Sequence, residues 1–349
     1  MNVSRSSSKT PHTFKQWLMH LAVAFFITWM LQTFLVELVW MRSMSMMPAL
    51  QKGDFMLISK LHYGARTPAT WLKIPLIEPL IGDSIPTFLS SWQLPVFRLP
   101  GISPIKHNDV ICFNHPRKPE YLPADLRVKF IGRCVGLPGD SVKINAWKVC
   151  HYLEDTLNKH YPYIFKTKSA NQIDYLQKKA LQDLHQLSDS LFIATCTIAQ
   201  AQQLTTDPSV KKVIPLVLSP GAEIEKTFPY SRFFSWNQAF FGPLWIPRKG
   251  TSIAINDTTL ALYDWLLEYE QGDKIRFSHD GYTSLQPRKA ILNGKAIDHY
   301  TFEENYYFVL NDNRSFPEED SRRFGLIPET LIIGKVWIAW QPFETLRLP

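Results

Sequence analysis

A single apolar run near the N-terminus limits this chain more than any other feature. Residues 17–36 read WLMHLAVAFFITWMLQTFLV, with His20, Thr28, Gln32 and Thr33 as the polar members apart from the indoles. About 20 apolar residues are what a helix needs to cross the hydrocarbon core of a bilayer. The run is too long for the apolar part of a cleaved signal peptide, and no small-x-small cleavage site follows it. A buried core helix ranks well below a membrane anchor. Residues 1–16 carry Arg5, Lys9 and Lys15 and no acidic residue. That asymmetry predicts a cytoplasmic N-terminus, a helix over 17–36, and the rest of the chain across the membrane.

The chain has 349 residues, enough for one large domain or two smaller ones. Its net charge of +7 is spread along the sequence. There is no long basic run, no zinc spacing and no phosphate-cradling glycine loop, which argues against nucleic-acid or nucleotide binding. Proline is concentrated over residues 68–123, a sign of loops and edge segments. The four cysteines, Cys112, Cys134, Cys150 and Cys196, lack metal-ligand spacing. Cys112 and Cys134 sit in apolar runs and read as small buried hydrophobes. A bridge between Cys150 and Cys196 stays open if that region is extracytoplasmic.

After the anchor the pattern is mostly that of strands and turns. Residues 55–62, 110–113, 128–135, 141–145, 306–310 and 331–340 read as strands, and Asn293-Gly294 is a hairpin signal between 290–292 and 295–297. Residues 146–272 differ in character. Ile173, Leu176, Ala180, Leu184 and Leu187 recur at helical spacing over 171–188, and Leu262, Trp265, Leu266 and Tyr269 do so over 258–270. The expected architecture is a mostly β core from residues 43–142 and 274–349, built of antiparallel sheets and interrupted by an inserted α/β subdomain at 146–272.

Three stretches carry chemistry. The first, over 43–54, opens Ser43-Met44-Ser45-Met46-Met47-Pro48 and closes on Gly53-Asp54. In an extended segment, residues two apart share a side, so Ser43 and Ser45 can present both hydroxyls to one substrate. Pro48 disfavours a helix there. The second, over 129–140, reads KFIGRCVGLPGD, and the third, over 311–325, reads NDNRSFPEEDSRRFG. In that order behind an N-terminal anchor, they resemble bacterial signal peptidase I. The Tyr63-Gly64-Ala65-Arg66 stretch, the segment from Phe241 to Pro247 and the Asn293-Gly294 hairpin are similar to the long form found in Bacteroidetes.

The resemblance implies a serine endopeptidase of the bacterial cytoplasmic membrane. It would remove signal peptides from exported preproteins after small-x-small sequences, with its body on the extracytoplasmic side. No metal or organic cofactor is implied. The partners are signal peptides and the lipid bilayer, and contact with secretion machinery is not readable. Ser45 is the implied nucleophile, and its N–H and the Ser43 hydroxyl are the implied oxyanion donors. Met46, Leu50, Phe130 and Ile131 match positions lining the substrate pockets. Asp312, Arg314, Asp320 and Arg322 match the loop that braces the site. The family's base is a neutral lysine, made a proton acceptor by burial.

At the position of that lysine the chain has Gly132, beside Arg133. The nearest lysine is Lys129. It lies on the other face of an ideal strand and reaches the site only if a bulge at Gly132 shifts the register. His115 suits general-base work on chemistry alone. The third stretch holds one extra residue between Arg314 and Asp320, and Ser315 to Glu319 gives no clear equivalent of the hydroxyl residue that supports the lysine. Two readings stay open: a peptidase with Lys129 or another group as base, and a non-catalytic relative that binds exported precursors or partner proteins at the membrane.

Overall fold

Apolar residues that meet no polar backbone partner outside their own segment can satisfy their peptide groups only as a helix, and the anchor does so. The computed structural model describes residues 14–349 except 68, 71–79, 82–84, 87–95, 118–121, 151–158, 170–171, 180, 223–225, 279–287 and 342–345, with backbone only at 80–81 and 85–86. Residues 1–13 of the expected cytoplasmic segment and parts of the proline-rich 68–123 region lie outside the described residues. The helix runs Phe14–Met30 and ends in a π turn, Leu31–Leu35, with none of its residues buried. This one helix is long and apolar enough to cross a membrane among the described residues.

The chain passes from that turn directly into the strand Val36–Trp40. Here sequence periodicity misses a boundary, because the last apolar residue of the run, Val36, already pairs with Ser59 in a sheet. The Lys60 N–H donates to the Leu35 carbonyl, and Lys60 Nζ donates to the Gln32 carbonyl at 2.7 Å. The helix end and the sheet edge are therefore one hydrogen-bonded unit.

The main sheet has seven strands in the order Val36–Trp40, Phe55–Ser59, Ile332–Trp340, Val110–Asn114, Lys129–Gly136, Tyr306–Leu310 and Ile327–Pro328, each antiparallel to its neighbour. Its central strand Val110–Asn114 is buried throughout, because both faces are covered. One face packs Met41, Met46, Leu50, Met56, Cys112 and Ile131. The other packs Ile111, Phe113, Cys134, Val309, Phe324 and Ile332. The Asn293-Gly294 turn has positive φ at both residues, 50° and 79°, as a tight hairpin between Ala290–Leu292 and Lys295–Ile297 demands.

The helix expected at 258–270 spans Asp257–Gln271, held at its start by a reciprocal cap between Asn256 and Thr259. Its buried residues Leu260, Tyr263, Leu266 and Leu267 join a core with Val135, Val142 and Phe308. The helix expected at 171–188 is corrected. Among the described residues of this stretch Ile173–Gln177 alone is helical, and Gln182–Ser188 is a strand paired to Leu191–Cys196. Pairing across the Asp189-Ser190 turn satisfies the backbone and lets Phe192 bury, which local helical spacing does not register. This second sheet, with Tyr161–Thr167 and Val210–Pro215, has its own core around Phe165, Phe192 and Leu204. All four cysteines are free thiols, Cys150 exposed and Cys196 buried, so no bridge joins that pair.

The C-terminal end of the Asp257–Gln271 helix meets the Tyr300–Tyr306 region through carboxylates. Glu270 accepts hydrogen bonds from the Tyr300 and Tyr306 hydroxyls at 2.6 and 2.5 Å, and Glu304 beside it accepts from the N–H and hydroxyl of Thr330. Burial, with the Glu270 and Glu329 charges adding to it, pushes the Glu304 carboxyl up to about 7. A raised carboxyl stabilises the fold fully below its unfolded pKa, and that contribution is lost as pH rises through the folded value. Glu304→Gln keeps an acceptor and removes the charge. It is expected to raise Tm over the parent at pH 8, by the equivalent of at most about 3 kcal/mol, with the gain gone near pH 4. Thermal unfolding of both proteins across that range checks it, and a gain independent of pH would exclude the assignment.

Candidate active site

The Ser43–Ser45 stretch forms the connection between the first two strands of the main sheet. Across its base the Met41 N–H donates to the Asp54 carbonyl and the Gly53 N–H to the Met41 carbonyl, the Leu50 N–H donates to the Met46 carbonyl, and Gly53 closes the turn at φ 96°. Asp54 caps the loop by accepting from the Gln51 N–H at 2.8 Å, and Arg347 pairs with its other oxygen. Met46 and Leu50 are fully buried beneath the loop. Driving these two side chains into the core turns Ser45 inward, where it is 1% exposed.

Behind the loop stands the segment from Asn311 to Arg322. The Asn313 N–H donates to the Ser45 carbonyl at 2.9 Å, fixing the backbone of one to the other. The segment itself is braced by buried charge. Arg322 donates to both oxygens of Asp320 and to the Arg314 carbonyl, and its guanidinium lies over the Trp147 ring. Arg314 donates to the Asn311 carbonyl. Asp312 takes both prongs of Arg133, at 2.8 and 2.6 Å. The four residues matched to a supporting loop are all buried at this place.

At the serines the hydrogen bonds have a definite sense. Ser43 Oγ is 2.8 Å from Ser45 Oγ and 2.7 Å from Glu319 Oε2. An ionised carboxylate only accepts, and a hydroxyl has one proton to give. Ser43 therefore donates to Glu319, and Ser45 donates to Ser43. In this arrangement the Ser43 hydroxyl, the expected oxyanion donor, is engaged with a carboxylate. The Ser45 N–H lies 3.4 Å from Ser43 Oγ, a long contact that leaves it open to a better acceptor.

Lys129 does not join this group. Its ammonium pairs with Glu37, which also pairs with Lys60 at 2.8 Å. Burial disfavours the charged lysine, but the attraction and hydrogen bond of Glu37 outweigh it and lift Lys129 above its usual range. A lysine held protonated is no base. The bulge at Gly132 that Lys129 would need is absent from this pairing: the register runs without a slip from Asn114 opposite Lys129 to Val110 opposite Arg133. A Cβ on Gly132 would meet Val309 and Phe113, on the face of the sheet away from Met46 and Ile131.

The four residues expected to line a pocket divide between the faces. Met46, Leu50 and Ile131 share one cluster, whereas Phe130 packs with Phe113 and Phe324 on the other. His115 also lies there, its ring 5.4 Å from those of Phe130 and Phe324.

Sequence reasoning passed over Lys159 and His160. The His160 N–H donates to the Asp312 carbonyl and its carbonyl accepts from Arg314, a one-residue bridge opposite Asn313. Lys159 Nζ reaches Asp312 Oδ1 at 2.6 Å. One carboxylate thus faces two cations out of water. Burial works against the Asp312 charge, but Arg133 and Lys159 hold the carboxyl below its usual range. Burial, with Arg133 and Arg314 adding to it, pushes the Lys159 amine down beyond what Asp312 restores. Burial likewise holds His160 below its usual value, and its Nδ1 makes no hydrogen bond among the described residues. A cavity of about 570 Å³ opens here, lined in part by Pro48, Ala49, Asn108, Arg133, Lys159 and Asp312. No local motif marks Lys159 or His160; only the long-range contact with Asp312 reveals them.

Residues 14–201 and 245–341 match the family described as Signal peptidase, peptidase S26. Signal peptidase I of Buchnera aphidicola subsp. Schizaphis graminum is 24% identical over 323 residues, covering 92% of this chain and 72% of that protein. Signal peptidase I of Buchnera aphidicola subsp. Baizongia pistaciae is 27% identical over 323 residues, covering 90% and 72%. Signal peptidase I of Pseudomonas aeruginosa is 34% identical over 124 residues, which span 35% of this chain and 32% of that protein.

Because Lys129 answers Glu37 and not Ser45, Lys129→Met is expected to lower Tm while leaving peptide cleavage within a few-fold of the parent. Removing a general base instead lowers turnover about 100- to 10,000-fold. Initial rates and thermal unfolding of the two proteins separate these outcomes.

Proposed function

The chain belongs to the signal peptidase, peptidase S26 family, and from that membership we propose that it is a membrane-anchored serine endopeptidase that removes signal peptides from exported preproteins after small-x-small sites. Its helix over Phe14–Leu35 crosses the cytoplasmic membrane with the N-terminus inside and the body outside. Ser45 is the nucleophile. Its hydroxyl attacks the scissile carbonyl, an acyl-enzyme forms as the new N-terminus departs, and water releases the signal peptide. The Ser45 N–H faces the developing oxyanion, and a donor fixed in place before the reaction stabilises that charge without reorganisation. The backbone bond from Asn313 and the buried charges behind it hold the donor still. The observation that carries the reading is the Ser45 hydroxyl itself, hydrogen-bonded through its oxygen in a loop that begins a few residues beyond the anchor helix.

A second reading, a relative that binds precursors without cutting them, is favoured by one observation: Gly132 supplies no amine, and Lys129 is tied to Glu37. The two part in a direct assay. The purified full chain in detergent is given a precursor carrying an Ala-x-Ala site, with Ser45→Ala beside it. Cleavage at that site, reduced by several orders of magnitude in Ser45→Ala, is the expected result. A precursor retained equally by both proteins and cut by neither supports the binding role.

A further inference from the structure

Among the described residues, Ser43 is the side chain within hydrogen-bond distance of Ser45 Oγ, and Glu319 is the carboxylate next in line. Three other candidate bases are engaged elsewhere, and His160 has no hydrogen bond to either serine hydroxyl among the described residues. Lys129 is on Glu37, Lys159 on Asp312, and His115 on the far face of the sheet against Phe130. Proton count fixes the polarity of the chain Ser45–Ser43–Glu319, as derived above. Charge-assisted O–H···O⁻ bonds are the stronger kind, and the 2.7 Å contact of Ser43 with Glu319 is at the upper end of their range.

The position of Glu319 is built, not incidental. It closes a short 3-10 turn, Pro317–Glu319, in which the ring of Pro317 fixes its own φ. The turn is pinned at both ends. The Phe316 N–H donates to the Asn313 carbonyl, and Asp320 accepts from the Asn311 N–H and the Arg322 guanidinium. The five residues between Arg314 and Asp320, longer by one than the sequence comparison anticipates, carry the carboxylate to the serine pair.

We infer that Ser45 is activated through Ser43 by Glu319, which is the terminal proton acceptor of a two-hydroxyl relay. The inference rests on Ser45 being the nucleophile. As Ser45 Oγ bonds to the scissile carbonyl carbon, its proton moves to Ser43 Oγ, and the Ser43 proton moves to the Glu319 carboxylate. When the tetrahedral adduct collapses and the C–N bond breaks, Ser43 gives its proton to the leaving nitrogen and Glu319 returns its proton to Ser43, while Ser45 Oγ stays bonded to the acyl carbon. The departing amine leaves neutral and Glu319 is again ionised. Attack by water on the acyl-enzyme repeats the cycle, with the water proton passed along the relay and then restored to Ser45. Nothing is consumed apart from that water.

Full-length Glu319→Gln, Glu319→Asp, Glu319→Ala and Ser43→Ala are compared with the parent on the Ala-x-Ala precursor, with thermal unfolding as the folding check. Glu319→Gln and Ser43→Ala are expected to lose at least about 100-fold in kcat with KM little changed. Glu319→Asp recovers part of the rate, and formate added to Glu319→Ala recovers part of it too, which a merely structural glutamate would not allow. Rates in mixed H₂O and D₂O curve for the parent, because two protons move, and become linear in Ser43→Ala. An alkyl fluorophosphonate reports the nucleophile independently by labelling Ser45. Cleavage that persists in Glu319→Gln overturns the relay and leaves the peptidase reading intact. No cleavage by the parent, with labelling of Ser45 that still requires Glu319, overturns the peptidase reading and upholds the relay. No cleavage and no Glu319-dependent labelling overturns both.

Discussion

Asp312 is the constraint on which the site depends. It lies almost wholly out of water and faces Arg133 from the main sheet and Lys159 from the segment leading into the second sheet. Removing one partner from such a buried cluster typically costs about 3–5 kcal/mol, because the remaining charges stay desolvated. The backbone on either side of Asp312 gains from this rigidity. Asn313 is held where its N–H meets the Ser45 carbonyl, and Arg314 where its N–H meets His160. Pieces far apart in sequence are thereby fixed relative to Ser45 without any of them touching its hydroxyl.

Lys159 introduces an electrostatic asymmetry. One carboxylate between two cations leaves the cluster with a net positive charge, and arginine does not give up its proton. The group that relieves such a charge is the amine, which is why burial and the two arginines depress Lys159 while Asp312 stays ionised. The carboxylate of Glu319 at the Ser45 loop is engaged by a hydroxyl instead of a cation. The two carboxylates are thus partnered differently, Asp312 by cations and Glu319 by a serine hydroxyl.

Much of this was legible in the sequence where the cause is local. The anchor, the Asn293-Gly294 hairpin, the strand after Gly53-Asp54 and the helix Asp257–Gln271 follow from short-range patterning, and the family follows from three ordered motifs. What failed had distant causes. The segment 171–188 has helical spacing, but the partner strand Leu191–Cys196 claims its second half. Lys129 looked like the nearest available amine in sequence, yet Glu37, on the strand that follows the anchor, takes it. Phe130 and Ile131 are adjacent and matched alike, but strand alternation sends them to opposite faces. Lys159 carries no motif, and Glu319 sits in the third stretch without a matched role; both become visible only when the loops that hold them are folded against Asp312 and Ser43.

The direct passage from the Leu31–Leu35 turn into the strand Val36–Trp40 has a mechanical consequence. Because Lys60 ties the helix end to the neighbouring strand through the Gln32 and Leu35 carbonyls, no slack separates the apolar helix from the sheet. Trp40 and Trp337 stand exposed on that sheet, of the residue type that settles at the lipid–water boundary. The molecule then works as a depth gauge. On the proposed function, the height of Ser45 above the bilayer is then set by the length of one strand and not by a tether, and a precursor meets the loop at a fixed distance from the lipid.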